Sequence, residues 1–214
     1  MLRHKHIDRI CLAAMALALV LALPFSAAAE TFSTEDFTME IPEGTYVFTP
    51  TTSTEDPNWA MAGVANPESE LSTLAEMNGV AELVTEDGET TILVQQQESD
   101  QTQAYFNLRY LTEKQQADFL DAIMQSQTDE ITVDKYYLDV DGQPFYRIRI
   151  DGTYQETGYH ELIYGTIVNG FTLAFNIYGG EESVTQEQED LLLGIVESVQ
   201  FSEILPKPET TVDT

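Results

Sequence analysis

Apolar positions along this chain follow two periods, and the clearest runs have a period of two. From Tyr159 to Gly179 the sequence reads YHELIYGTIVNGFTLAFNIYG, alternating runs on either side of Asn169-Gly170. Asn-Gly in that setting predicts a two-residue type I′ turn, because both central residues must take positive φ. Val168 then faces Phe171, Thr166 faces Leu173, Tyr164 faces Phe175 and Leu162 faces Ile177. The opposite side pairs Ile167 with Thr172, Gly165 with Ala174, Ile163 with Asn176 and Glu161 with Tyr178. One side is bulky and apolar; the other has a small Gly165–Ala174 patch that another group could approach closely. The hairpin is expected at the centre of a sheet, its apolar side beneath a helix.

The remaining elements follow from the same patterns. Phe37, Met39 and Ile41 alternate as a strand, Pro42-Glu43-Gly44 is a turn, and Thr45 to Phe48 reads as a returning strand. Trp59 to Val64 is expected as a third short strand. Asn66-Pro67 opens a helix, Asn as N-cap and Pro at the first helical position, and Asn78-Gly79 stops it. Val80 to Gln97 reads as a hairpin turning at Asp87-Gly88, and Tyr105 to Tyr110 as extended chain. Thr112 and Gln115 have capping-box spacing ahead of a helix with Phe119, Leu120, Ile123 and Met124 on one side. Ile131 to Ile150 is a third hairpin, turning at Asp141-Gly142. Thr185 and Gln188 repeat the capping box before a helix presenting Leu191, Leu192, Ile195, Val196 and Val199, with acidic residues in its first turn. Strands joined by tight turns are antiparallel, and three helices exceed one face of a modest sheet. The expected class is α+β: an α/β/α sandwich with a central antiparallel sheet built from hairpins and helices on both faces.

Composition adds compartment and surface. Arg3, Lys5 and Arg9 precede an apolar run, Ile10 to Phe25, which ends in Ser26-Ala-Ala-Ala29. This is the three-part pattern of a secretory signal peptide, with cleavage expected between Ala29 and Glu30. The run is shorter than the ~20 residues of a spanning helix, so no membrane span is expected after cleavage. The 185 residues left suffice for one domain. The expected division is signal 1–29, flexible lead-in 30–36, a single domain 37–202 and a disordered tail 203–214. The one cysteine, Cys11, lies in the signal, so the mature chain has no disulfide, thiolate nucleophile or zinc-thiolate site. The full chain carries −28; the mature part has six Lys and Arg against 36 Asp and Glu, a net of −30. Such a surface repels nucleic acid and favours solubility and cationic partners.

FTMEIPEG, YLTEKQQADFLDAI, the YHELIYGTIVNGFTLAFNIYG hairpin and QEDLLLGIVESVQF occur in the order found in the PsbP-like superfamily. From Phe37 to Phe201 the chain resembles that family, which includes photosystem PsbP, the Ran-binding Mog proteins and DcrB-like bacterial proteins, and it is most similar to the exported bacterial branch. One departure is Thr45, which intervenes where an aromatic commonly follows the Pro-x-Gly turn directly. The resemblance implies an antiparallel α/β/α sandwich used for binding or assembly assistance, without an agreed catalytic site and with no functional residues to carry over.

Candidate chemistry is sparse. No G-x-S-x-G occurs, and His160, the one mature histidine, is followed by ELIY and so fails H-E-x-x-H. His160 at the start of a strand reads as a hydrogen-bonded edge residue or, in the rival view, as a hydrolase base with distant partners. Asp139-Val-Asp141-Gly142 mimics the start of a calcium loop but lacks its later ligands; a hairpin tip explains it equally. The most specific polar feature is the Asp141-Gly142 hairpin, with Tyr136 opposite Arg147 and Asp134 opposite Arg149. Two readings fit: an anion clamp walled by Tyr136, or a cross-strand ion pair with a Tyr–Arg contact. Trp59 is either an exposed recognition aromatic or core. No cofactor is expected. The expected role is a non-enzymatic exported domain that binds a protein or envelope component, with a secreted hydrolase or a calcium-responsive surface protein as alternatives.

Overall fold

The computed structural model describes residues 30–123, 131–154 and 156–208. The expected signal segment with Ala29, Met124 of the expected helical stripe, and residues 209–214 of the expected tail lie outside them. Among the described residues ten strands form two sheets. The larger has seven antiparallel strands in the order β3 (Thr45–Phe48), β4 (Gly79–Thr85), β5 (Thr91–Glu98), β9 (Phe171–Gly180), β8 (Thr157–Val168), β7 (Gln143–Tyr154) and β6 (Ile131–Val140). The smaller sets β1 (Glu30–Ser33) and β10 (Gln200–Phe201) on either side of β2 (Phe37–Ile41).

The β8–β9 hairpin pairs Val168 with Phe171, Tyr164 with Phe175 and Leu162 with Ile177, as the Asn-Gly turn requires. Asn169 and Gly170 take φ of +49° and +86°, the left-handed values of a type I′ turn. The apolar side of the hairpin lies in the main core. Above it pack Phe37, Met39 and Ile41 of β2 and Leu192, Ile195 and Val196 of helix α5 (Gln186–Glu197). The second side holds Ile148, Ile150 and Ile167 beneath Leu108 and helix α4 (Glu113–Ile123). Tyr146 lies across Gly165, where a Cβ would come within 2.4 Å of its ring, so the small patch accommodates a neighbouring strand's side chain. Helices α1 (Pro57–Met61) and α2 (Pro67–Glu76) cover the β3–β4 edge of this side. The sandwich is therefore α+β, a seven-stranded antiparallel sheet with helices on both faces.

Several local expectations change. Glu30–Ser33 is a strand paired with β2 and not a flexible lead-in. β2 and β3 do not pair: the Pro42–Gly44 turn passes the chain from the small sheet to the large one. Pro57–Met61 is helical, because Asp56 accepts the Asn58 N–H as N-cap and Pro57 occupies the first turn. The segment before Thr112 holds helix α3 (Asp100–Tyr105), capped by Ser99 and Thr102, and a 3-10 turn, Leu108–Tyr110. The beginning of the tail is strapped down. Asn169 donates to the Glu203 carbonyl and accepts from the Leu205 N–H, and Tyr110 donates to the Leu205 carbonyl.

Candidate functional site

β7 carries Arg147 and Arg149 on the face beneath α5, and α5 answers with Glu189 from its first turns. Arg147 Nε donates to Glu189 Oε1 at 2.7 Å, and its Nη2 lies 2.7 Å from the same oxygen. Arg149 Nη1 donates to Glu189 Oε2 at 3.0 Å and its Nη2 to the Val184 carbonyl at 2.7 Å. The Tyr164 hydroxyl adds a third donor to Glu189 at 3.2 Å. Arg147 is 5 % exposed and Glu189 8 %, so the carboxylate and guanidinium are both withdrawn from water. Burial disfavours charge on Arg147, but the hydrogen bonds and charge of Glu189 outweigh it and raise its pKa. The hydroxyl of Tyr164 is likewise pushed above its ordinary range, first by burial and then by Glu189.

The expected pairs of this hairpin form in modified geometry. Asp134 stands opposite Arg149 in register yet bonds Arg147 Nη1 at 2.9 Å, while Arg149 Nε takes Asp151 at 2.7 Å. Tyr136 is 47 % exposed, and its ring centre sits 5.1 Å from Arg147 Cζ. The two arginines thus have an anion already, supplied by the chain itself. Glu189 is absent from the expected site; its place on the apolar stripe of α5, three and seven residues before Leu192 and Val196, signals burial but names no partner. Trp59 is 2 % exposed, stacked on Phe48 at 3.6 Å and donating its indole N–H to the Ser53 carbonyl, a core position with no face for a partner.

His160 meets Asp151 and Ser183, but both through the same ring atom: Nδ1 lies 2.9 Å from Asp151 Oδ1 and 3.2 Å from Ser183 Oγ. A Ser-His-Asp relay needs the carboxylate on one ring nitrogen and the hydroxyl on the other. An Nδ1 that gives its proton to Asp151 has no lone pair to take one from Ser183. At the Asp141-Gly142 tip, the Asp139 carboxylate accepts the Gly142 N–H at 2.9 Å, the task of a turn residue. Among the described residues no three of His, Cys, Asp or Glu converge to hold a metal ion.

An open concavity lies elsewhere. A cleft of about 930 Å³ is bounded by the turn before β3, the β4–β5 turn, the end of β9 and the start of α5. Glu43, Glu86, Asp87, Glu89, Glu182 and Glu187 line it, with no Lys, Arg or His among the lining residues. Gln188 holds its walls together, donating to the Glu89 carbonyl at 3.2 Å and contacting Thr90 Oγ1 at 3.3 Å. The hydroxyl of Thr85 and the N–H of Glu89 bond Asp87 at 2.6 and 3.0 Å and hold its carboxyl below the ordinary range. These exposed acids concentrate negative potential within a shaped recess.

No family model and no curated protein matches the chain. Among solved structures it is similar to the solution structure of cyanobacterial PsbP (CyanoP) from Synechocystis sp. PCC 6803. That likeness has 11 % identity and a TM-score of 0.46, covering 83 % of this chain and 95 % of the other. It is also similar to the apo immunity protein TplEi of the type VI secretion system from Pseudomonas aeruginosa, at 10 % identity and a TM-score of 0.38, covering 89 % and 83 %. The same immunity protein complexed with "L" peptide gives 9 % and 0.37, covering 81 % and 98 %.

Proposed function

We propose that this protein is an exported, non-enzymatic binding domain of the bacterial cell envelope whose partner presents positive charge. The observation that carries the proposal is the acidic cleft beside the N-terminus of α5, open and free of cations among its lining residues. The arginine pair supports the same reading from the other side, because Glu189 occupies it and leaves no vacant anion site there. A basic segment of a protein or envelope component would exchange its counter-ions for the cleft carboxylates, in association that weakens steeply with salt.

The test compares the intact domain with a variant carrying Glu86→Gln, Asp87→Asn, Glu89→Gln and Glu182→Gln as bait for envelope extract. All four side chains are exposed, so the fold is expected to persist. A partner retained by the parent, released by salt and absent from the variant is the expected result. Equal capture by both, insensitive to salt, overturns the proposal.

A further inference from the structure

The second face of the large sheet hides a carboxyl that the arginine network does not use. Glu82 of β4 stands opposite Phe48 on β3 and Leu93 on β5, at a position where strand alternation points inward. It is 9 % exposed, and its Oε2 is buried with no hydrogen-bond partner among the fixed donors around it. The group that comes within hydrogen-bonding reach is another carboxyl, Glu70 of α2. The elements packed here bring no cation: β3 contributes Phe48 with Tyr46 further along, β5 contributes Leu93, and α1 brings Trp59 to the same pocket. Two ionised carboxylates cannot sit together in such a place without strong repulsion. A proton on Glu82 converts the repulsion into a hydrogen bond.

Helix α2 is seated by few other means. Leu74 is buried against Gly79, where a Cβ would approach its Cδ1 to 2.1 Å, and Leu71 is half-buried on the Phe48–Trp59 cluster. Glu70, Leu71 and Leu74 lie on one side of the helix, so the carboxyl pair is one of three points that hold it. We propose that Glu82 is held protonated beneath α2, donates its proton's hydrogen bond to Glu70, and so latches α2 over the Phe48–Trp59 pocket, loosening when that proton leaves.

Burial first, then the Glu70 charge and hydrogen bond, raise Glu82 from 4.5 to about 7. The folded form therefore holds a proton that the unfolded chain has lost between those values. The latch is fully present below the unfolded value and is lost as pH rises through about 7.

Trp59 is the one tryptophan of the chain and stacks on Phe48, so it reports on this pocket directly. The experiment follows Trp59 fluorescence and near-UV circular dichroism, with amide exchange of α2 corrected for intrinsic rates, from about pH 5 to about pH 9. The parent chain is expected to show one transition near neutrality, with α2 protection falling on the order of tenfold or more. Glu82→Gln supplies a permanent N–H donor to Glu70 and should hold α2 closed across the range. Glu70→Gln makes the same substitution from the helix side and covers the case in which Glu82→Gln does not fold. A flat parent profile, or a transition of unchanged midpoint in a folded Gln variant, overturns the proposal.

Discussion

Replacing Glu189 by glutamine removes the anion held between two guanidiniums while keeping the side chain's length. Arg147, 5 % exposed, would retain only Asp134, whose side chain is largely in water, and Arg149 would retain Asp151 and the Val184 carbonyl. Removing one partner of a buried ion pair costs about 3–5 kcal/mol, because the other charge stays buried and uncompensated. The substituted amide still offers one carbonyl oxygen, which places the expected loss near ~3 kcal/mol, and Glu189→Leu nearer ~5 kcal/mol. For a domain of this size ~3 kcal/mol corresponds to a fall of about 6–12 °C in Tm. Urea unfolding followed by Trp59 fluorescence measures the loss as a lower midpoint at unchanged slope. Combining Arg147→Met with Glu189→Leu should recover much of it, since an apolar pair of similar volume replaces ions whose desolvation was costly. A Glu189→Gln chain within ~0.5 kcal/mol of the parent would contradict a closed network: the guanidiniums would then be satisfied by water and open to another anion.

Two further expectations concern parts of the same framework. Gly165→Ala places a methyl 2.4 Å from the Tyr146 ring, so it should cost about 1–3 kcal/mol in urea unfolding, and Tyr146→Leu in that background should return part of the loss. In acid, burial pushes Asp151 up, but the hydrogen bonds and charges of Arg149 and His160 hold its carboxyl below the ordinary 3.8. Its stabilisation is therefore complete above that value and is lost as pH falls through the lower folded one. Asp151→Asn should flatten this acid limb in pH-dependent unfolding, and an unchanged limb would show that other carboxylates control it.

The register of the hairpins was legible because it is local. Asn169-Gly170 and Asp141-Gly142 fix positive φ, and period-two alternation then dictates the pairs outward from each turn, as far as Glu161–Tyr178 on β8 and β9, beyond which the register shifts at His160. The capping boxes at Thr112 and Thr185 were legible for the same reason, each being closed within four residues. Contacts set by distant packing were not. The Pro42–Gly44 turn gives a local backbone and says nothing about which sheet receives β3, so β2 and β3 were read as a hairpin that does not form. At Trp59 the aromatic, alternating look of the segment competed with Asp56-Pro57, the same N-cap and proline signal read correctly at Asn66-Pro67. Glu189 illustrates the limit most plainly. Its place in a helical first turn suffices for an acidic residue, and only the meeting of α5 with β7 makes it the anion for Arg147 and Arg149. The cleft is similar: its carboxylates come from three separated stretches, and sequence shows only that the chain is acidic.

Under the proposed function the arginine pair is closed from within while the acidic cleft is open to a cationic partner. Calorimetric titration of the intact domain with two multivalent probes, oligolysine and tripolyphosphate, at low ionic strength tests both halves at once. The expected result is saturable binding of oligolysine that the four cleft substitutions abolish, and no binding of tripolyphosphate. Saturable binding of tripolyphosphate that Arg147→Gln and Arg149→Gln remove, with oligolysine indifferent to the cleft, would contradict it.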